Sequence, residues 1–149
     1  AGAAADRTRL VIAQELRAKK VVNVNDEDLL KAVQHETDGF GVDVVFECAG
    51  APASAANCLN ALRPLGRYTQ VGHFGKEITL PFDRVGFKQL RVSGSVGYTA
   101  ESWRRALSLL DQGAVRLGDM ITHKLPLTEW RRGFDLCEQK EALKVLLQP

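Results

Sequence analysis

The chain has 149 residues, of which 45% are apolar and 26% charged, with a net charge of +2 at neutral pH; this is the balance of a single soluble globular domain. Such a small charge, without a basic stripe interleaved with aromatic residues, argues against nucleic-acid binding. No apolar run approaches the roughly 18 residues of a membrane span, and the opening sequence AGAAADRTRL lacks the features of a signal peptide, so we expect a cytoplasmic protein without a membrane partner.

Hydrophobic periodicity predicts an alternation of helices and strands along the chain. Short apolar or β-branched runs predict strands at 21–24, 42–50, 67–74, 78–81, 90–98, 121–127 and 144–149. Apolar residues at three- and four-residue spacing predict helices from Asp6, from a cap at Asn25 or Asp26 to Gly39 or Gly41, from Pro52 to Pro64, over 101–112, and from Thr128 through Cys137. Near-continuously apolar strands separated by helices indicate an α/β fold with a parallel sheet covered on both faces.

The helix predicted over 101–112 has an apolar stripe. Its members are Trp103, Ala106, Leu107 and Leu110. Their spacing places them on one face, which we expect to lie against the core.

Three predicted strands end in short, glycine-bearing segments: CAG (48–50), VGHFG (71–75) and SGSVG (93–97). In open parallel sheets, ligands bind outside the carboxyl ends of the strands. Glycines there let a flat, extended ligand approach the backbone. The three ends together predict a cofactor cleft.

Glu47 and Cys48 end the first of these strands and raise the question of a nucleophile. A reactive thiol needs a neighbouring His, Lys or helix N-terminus to lower its pKa, and only the helix predicted at Ala51 is close in sequence. We therefore expect Cys48 to line a pocket and Glu47 to hydrogen-bond neighbouring backbone. No catalytic residue is predicted in this chain.

The cysteines and histidines give no sign of a metal site. Cys48, Cys58 and Cys137 form no CxxC motif, and the three histidines are scattered. This sparse, odd set argues against a disulfide framework or a zinc ribbon and fits a reducing compartment. We expect no metal to be bound by this chain.

The segments DVVFECAGAPASAANCLNALRPLGRYTQVGHFG, ITLPFDRVGFKQLRVSGSVGYT, ITHKLPL and ALKVLLQP resemble the medium-chain alcohol dehydrogenase superfamily, most closely its zinc-dependent polyol and threonine dehydrogenases. The resemblance implies a C-terminal portion without the catalytic domain, the first strand and its GxGxxG turn. It implies an incomplete Rossmann-type sheet over 1–118. A C-terminal strand-helix-strand segment over 119–149 would return to the absent catalytic domain.

The activity that the resemblance implies is that of the parent protein. It is hydride transfer between a secondary alcohol or polyol and NAD or NADP, with zinc bound outside this chain. The chain alone is expected to be inactive, and the protein to be a homo-oligomer. Two alternatives stay open: a zinc-free quinone or enoyl reductase of the same superfamily, and a non-catalytic truncated interaction module.

The resemblance also implies which residues contact the dinucleotide. On the adenosine side, Arg9 matches a position beside the ribose, and Cys48 and Ala49 line the adenine-ribose pocket. On the nicotinamide side, the ribose lies over Val71, Gly72 and His73, and the carboxamide is bound by backbone groups of Ser95, Val96 and Gly97. Lys144 matches a position that contacts the pyrophosphate. The family's acidic ribose residue falls here on Ala4, with Asp6 the nearest carboxylate. Arg7 or Arg9 could accept a 2′-phosphate, so NAD and NADP are not distinguished.

Two further expectations follow from the comparison with that family. Arg17 stands where a helix-ending glycine is usual, at a cost of about 1 kcal/mol if the position is left-handed. Without the first strands, the edge of 42–46 would be bare. Either 21–24 pairs beside it, or another copy of the chain completes the sheet.

Overall fold

The computed structural model describes residues 1–3 and 6–149. Its helices are α1 (Arg7–Glu15), α2 (Leu29–Glu36), α3 (Pro52–Ala61), α4 (Asp83–Phe87), α5 (Ala100–Asp111) and α6 (Trp130–Glu138). Its strands are β1 (Val42–Glu47), β2 (Leu62–Gln70), β3 (Arg91–Gly94), β4 (Ile121–Pro126) and β5 (Lys144–Gln148). All pairing between these strands is parallel, which confirms the predicted α/β fold class.

The described residues group into two compact units. We call Glu27–Gly97 the sheet unit, and Ala1–Asp26 together with Tyr98–Pro149 the terminal unit. The predicted division into 1–118 and 119–149 stays a prediction.

In the sheet unit, β1, β2 and β3 form one parallel sheet in that order. The register sets Val45 opposite Tyr68 and Tyr68 opposite Val92, so these side chains share a face. On this face Val45 packs against a core cluster whose members are Leu59, Leu62, Tyr68 and Leu90. α3 supplies Leu59 to this cluster. The helix opens at Pro52, in the first turn, where a missing N–H costs little.

The other face of this sheet carries Val44 and Phe46 on β1, in register with Arg67 and Thr69 on β2. Phe46 is 64% exposed. An apolar aromatic side chain is thus exposed next to the carboxyl end of β1.

In the terminal unit, β4 and β5 pair in parallel and α6 packs on them. Gly133 permits the approach, because a Cβ there would lie 3.2 Å from a Val145 methyl group and 3.4 Å from one of Leu147. This is the predicted strand-helix-strand arrangement. Its helix begins at Trp130 rather than Thr128, which lies in a 3₁₀ turn over Leu127–Glu129.

The prediction of a strand at 21–24 is wrong. Asn23 makes a single parallel bridge with Gly2, in which the Gly2 N–H donates to Val22 O and the Val24 N–H donates to Gly2 O, both at 2.9 Å. Within the described residues, this segment is not a strand of the β1-β2-β3 sheet, so pairing of 21–24 beside β1 is also wrong. A β-branched run becomes a strand only where a neighbouring strand offers a ladder.

The strand predicted at 67–74 begins earlier and ends earlier, as β2. Val42 pairs with Leu62 and the next pair is Val44 with Arg67, so the ladder is irregular between them. Pro64 and Gly66 lie in this irregularity instead of in a turn, as both residues do in bulged strands. Residues 78–81, all described, form no strand, and α4 follows where no helix was predicted.

Two helix predictions need correction. α2 is capped by Asp28, whose carboxylate accepts from the N–H groups of Leu30 and Lys31, rather than by Asn25 or Asp26. α5 is present, but its apolar stripe does not face a core. Trp103 is 55% and Leu107 46% exposed. None of the described helices is both long and apolar enough to cross a membrane.

Candidate cofactor-binding site

The three predicted strand ends meet at one edge of the sheet, because parallel neighbours end on the same side. We call this edge, residues 48–50, 71–75 and 93–97, the strand-end shelf. The N–H groups of Val71 and Gly72 both donate to Glu47 O at 2.8 Å, and the Ser95 N–H donates to Gln70 O at 2.9 Å. The structure therefore brings together all the predicted site residues except Arg9 and Lys144, which belong to the terminal unit.

The outer surface of the strand-end shelf is open. Cys48, Ala49, His73 and Ser95 are exposed, and Val96 is 82% exposed. A Cβ added at Gly94 or Gly97 would meet no atom within 4 Å. An extended ligand can therefore reach the backbone here, as a dinucleotide requires.

Gly50 and Gly72 have a different role from the open glycines. A Cβ at Gly50 would lie 2.3 Å from His73 O, and one at Gly72 would lie 2.3 Å from Gly50 N. Gly50 also has a φ of +63°. These glycines let the loop after β1 and the loop after β2 pack backbone against backbone.

Beneath the shelf lies the buried carboxylate of Glu47, with 0% exposure. Its Oε1 accepts from the Ala49 N–H at 3.0 Å, and its Oε2 from the Gly50 N–H at 3.0 Å and from Gln70 Nε2 at 2.7 Å. Burial raises the pKa of Glu47, but hydrogen bonds from Ser54, Gly50, Gln70 and Ala49 outweigh burial and hold the pKa below its ordinary value. The predicted backbone hydrogen bonding of Glu47 is confirmed.

Gln70 has no counterpart in the sequence-based prediction. Its Nε2 also donates to Gly72 O at 2.7 Å, and its Oε1 accepts from the Tyr68 hydroxyl. A polar residue at the last position of β2 was the only signal, and it does not distinguish a partly buried side chain that bridges two loops from an exposed one.

Arg9 is held by other groups of the terminal unit. Its Nη1 pairs with Asp6 Oδ1 at 2.8 Å, and its Nη2 donates to Ala142 O at 3.4 Å. The pKa of Asp6 is lowered by the hydrogen bond from the Ala3 N–H, against the effect of burial, with further help from Arg9. Ala4, the position that matches the family's acidic residue, lies outside the described residues.

Lys144 opens β5 and is exposed. Cys48 is an exposed free thiol. Over residues 1–3 and 6–149, no three His, Cys, Asp or Glu side chains cluster so as to hold a metal ion. These residues do not fit a zinc site.

Comparison with known proteins decides the family. A family model described as zinc-binding dehydrogenase matches residues 1–112. The chain belongs to this family. The resemblance seen in the sequence is thereby confirmed, and the matched region is the nucleotide-binding part of such enzymes.

Individual dehydrogenases show the extent of the match. A sorbitol dehydrogenase of Halalkalibacterium halodurans is 36% identical over 149 residues, covering 99% of this chain and 43% of that protein. An L-threonine 3-dehydrogenase of Bacillus velezensis is 36% identical, covering 95% and 41%. An alcohol dehydrogenase structure from Thermus sp. ATN1 superposes with a TM-score of 0.86 at 32% identity, covering 96% and 41%. The chain thus spans about two fifths of the length of these relatives.

Proposed function

We propose that the chain is the cofactor-binding portion of a zinc-dependent, NAD- or NADP-linked alcohol or polyol dehydrogenase. The observation that carries this proposal is the strand-end shelf, where three parallel strand ends meet with exposed backbone and open space above Gly94 and Gly97. Cys48 and Ala49 would wall the adenosine side, Val71, Gly72 and His73 would run under the nicotinamide ribose, and Ser95, Val96 and Gly97 would hold the carboxamide. Arg9 and Lys144 would contact the ribose and the pyrophosphate.

A bound dinucleotide would supply the group that exchanges a hydride with the alcohol. The residues of this chain bind and orient it; zinc and the substrate belong to other parts of the parent protein. The polyol names of several relatives, sorbitol and D-arabitol phosphate among them, support a hydroxyl-rich substrate.

We propose that the protein is cytoplasmic, because its three free cysteines fit a reducing compartment. We also propose a homo-oligomer, and a division into a partial nucleotide-binding domain over 1–118 and a C-terminal segment over 119–149. The β4-α6-β5 arrangement of that segment supports the division.

Calorimetric titration of the full chain with NAD, NADH and NADPH tests the proposal. We expect binding of at least one of them, and its loss in Gly94→Phe, because the new ring would occupy the open side of the shelf without meeting protein atoms at its Cβ. Gly86→Phe is the matched control, since Gly86 is equally open but lies in α4.

The outcomes separate the candidate functions. Binding that Gly94→Phe leaves unchanged would contradict the shelf as the site. No binding of any dinucleotide would favour a non-catalytic interaction module. Tighter binding of NADPH than of NADH would assign a 2′-phosphate contact to Arg7 or Arg9.

A further inference from the structure

We propose that Glu47 is the positioning residue of the strand-end shelf: its buried carboxylate ties the loop after β1 to the loop after β2 and thereby sets dinucleotide affinity. This inference rests on the proposed cofactor-binding function. It assigns a role to a side chain that has 0% exposure and that does not itself face the open surface.

The first half of the tie is local to β1. The two carboxylate oxygens accept from successive backbone N–H groups, Ala49 on Oε1 and Gly50 on Oε2, both at 3.0 Å. This fixes the turn that carries Cys48 and Ala49. Hydrogen bonds to an ionised acceptor are roughly twice as strong as neutral ones, so ionised Glu47 holds this turn more firmly than an amide could.

The second half crosses to β2 through Gln70. Its Nε2 donates both to Glu47 Oε2 and to Gly72 O, each at 2.7 Å. One amide group therefore links the carboxylate to the loop that carries Gly72 and His73. The hydroxyl of Tyr68, itself 4% exposed, donates to the Oε1 of the same amide, which keeps its NH₂ turned toward Glu47.

Backbone packing makes the two loops interdependent. Gly50 and Gly72 touch so closely that a Cβ on Gly72 would lie 2.3 Å from Gly50 N. A shift of the first loop must therefore displace the second. Loss of the Glu47 hydrogen bonds would loosen both walls of the shelf together.

The expected test compares Glu47→Gln with the wild-type chain. The substitution keeps the shape but turns an NH₂ group against N–H donors, which leaves buried donors unpaired. We expect the dissociation constant of the dinucleotide to rise about 10- to 100-fold. Glu77→Gln, an exposed residue of the same unit, is the matched control and should leave it unchanged. Equal affinity of wild type and Glu47→Gln would overturn the inference.

A pH profile separates positioning from general destabilisation. Wild-type affinity should fall when Glu47 is protonated at acid pH, whereas Glu47→Gln should lack this dependence. The ratio of the two dissociation constants cancels the effects of all titratable groups other than Glu47, because both chains share them. Burial raises the pKa of Tyr68 to about 12 and also raises that of Cys58, with the Glu47 charge adding to both effects. Neither group ionises in the acid range, and a ratio independent of pH would contradict the proposal.

A milder variant covers the case in which Glu47→Gln does not fold. Tyr68→Phe removes the hydroxyl that orients Gln70 and should weaken binding about 2- to 10-fold. Amide hydrogen exchange measures the Glu47 hydrogen bonds without any ligand. The amides of Ala49 and Gly50 should exchange faster in Tyr68→Phe than in the wild type, while the exchange of the β4 amides should not change. Unchanged protection and affinity would refute the role of Glu47. Failure of the wild type to bind any dinucleotide would instead refute the proposed function.

Discussion

At the scale of single residues, Arg17 is a non-glycine residue in a backbone conformation that favours glycine. Its φ is 72°, in the left-handed region that we expected from the resemblance to a family in which a helix-ending glycine is usual. The Arg17 N–H donates to Gln14 O and the Ala18 N–H to Ala13 O, both at 2.9 Å. This pair of hydrogen bonds is the Schellman motif, which favours glycine because a Cβ there is strained.

We predict that Arg17→Gly raises the free energy of unfolding by about 1 kcal/mol, because glycine adopts this conformation without strain. Urea denaturation measures the change. Arg104→Gly in the middle of α5 is the control and should lower the free energy of unfolding by about 1 kcal/mol. Destabilisation by Arg17→Gly would show that the arginine side chain contributes more than the strain costs.

Glu47 predicts how stability depends on pH. Its folded-state pKa lies below the ordinary value of 4.5, because hydrogen bonds outweigh burial. A lowered carboxylate pKa gives stability that is fully present above the unfolded pKa and is lost as the pH falls through the folded pKa.

The stability difference between wild type and Glu47→Gln should accordingly be constant from about pH 8 to about pH 5.5 and shrink below about pH 4.5. Urea denaturation across this range measures it, with Glu77→Gln as the reference. A difference that grows toward acid pH would mean that Glu47 is neutral in the folded chain.

At the scale of elements, α3 runs into β2 without a loop, and Lys88 holds the junction. Its Nζ donates to the carbonyl oxygens of Leu59 at 3.2 Å, Asn60 at 2.8 Å and Leu62 at 2.5 Å. Carbonyls at the end of a helix lack partners within it, and a lysine there also complements the helix dipole.

We expect Lys88→Met to lower the free energy of unfolding by about 1–3 kcal/mol, because it leaves these carbonyl groups without their donor. Lys31→Met, on the exposed side of α2, should change it by less than about 0.5 kcal/mol. Thermal or urea unfolding of both variants provides the comparison. Equal effects would mean that water replaces the Lys88 ammonium without loss.

α5 is an element whose sequence pattern misleads. Its stripe satisfies the helical period, yet Leu107 is 46% exposed, whereas Leu59 in α3 is 2% exposed. We predict that Leu59→Ala costs about 2–5 kcal/mol of unfolding free energy, and Leu107→Ala less than about 1 kcal/mol. A comparable loss from Leu107→Ala in urea denaturation would place that side chain against a core.

How far the sequence predicts this fold depends on the range of the interactions. β1, α3 and α6 were found because their patterns are local. The start of β2 at Leu62 depends on its hydrogen-bonded pairing with β1. Whether 21–24 forms a strand depends on which strand lies beside it. Neither can be predicted from a short stretch of sequence. The strand-end glycines were recognised from the sequence, but the close packing of Gly50 and the open space at Gly94 depend on contacts between loops that are distant in sequence.

At the scale of the whole molecule, β1 ends the order of its sheet, and one face of that sheet bears the exposed Phe46. Bare strand edges and apolar faces promote association between chains. Within the described residues, 21–24 is not a strand of this sheet, and completion of the sheet by another copy stays our prediction.

Light scattering at increasing concentration should reveal this association, and Phe46→Lys should weaken it by placing a charge on the uncovered face. Phe40→Lys is the matched control, because Phe40 is 75% exposed outside any strand. A monomer at every concentration would contradict the prediction.

The direct run of α3 into β2 also determines where the chain can be opened. Ala61 ends the helix and Leu62 begins the strand, so a cut there would sever two elements at once. Gly75 to Glu77 are exposed, and a Cβ at Gly75 would meet nothing within 4 Å. Exposed loop tips of this kind accept new termini. A pair of complementing halves should therefore be divided between Lys76 and Glu77, which keeps β1, α3 and β2 in one piece and leaves the strand-end shelf uncut.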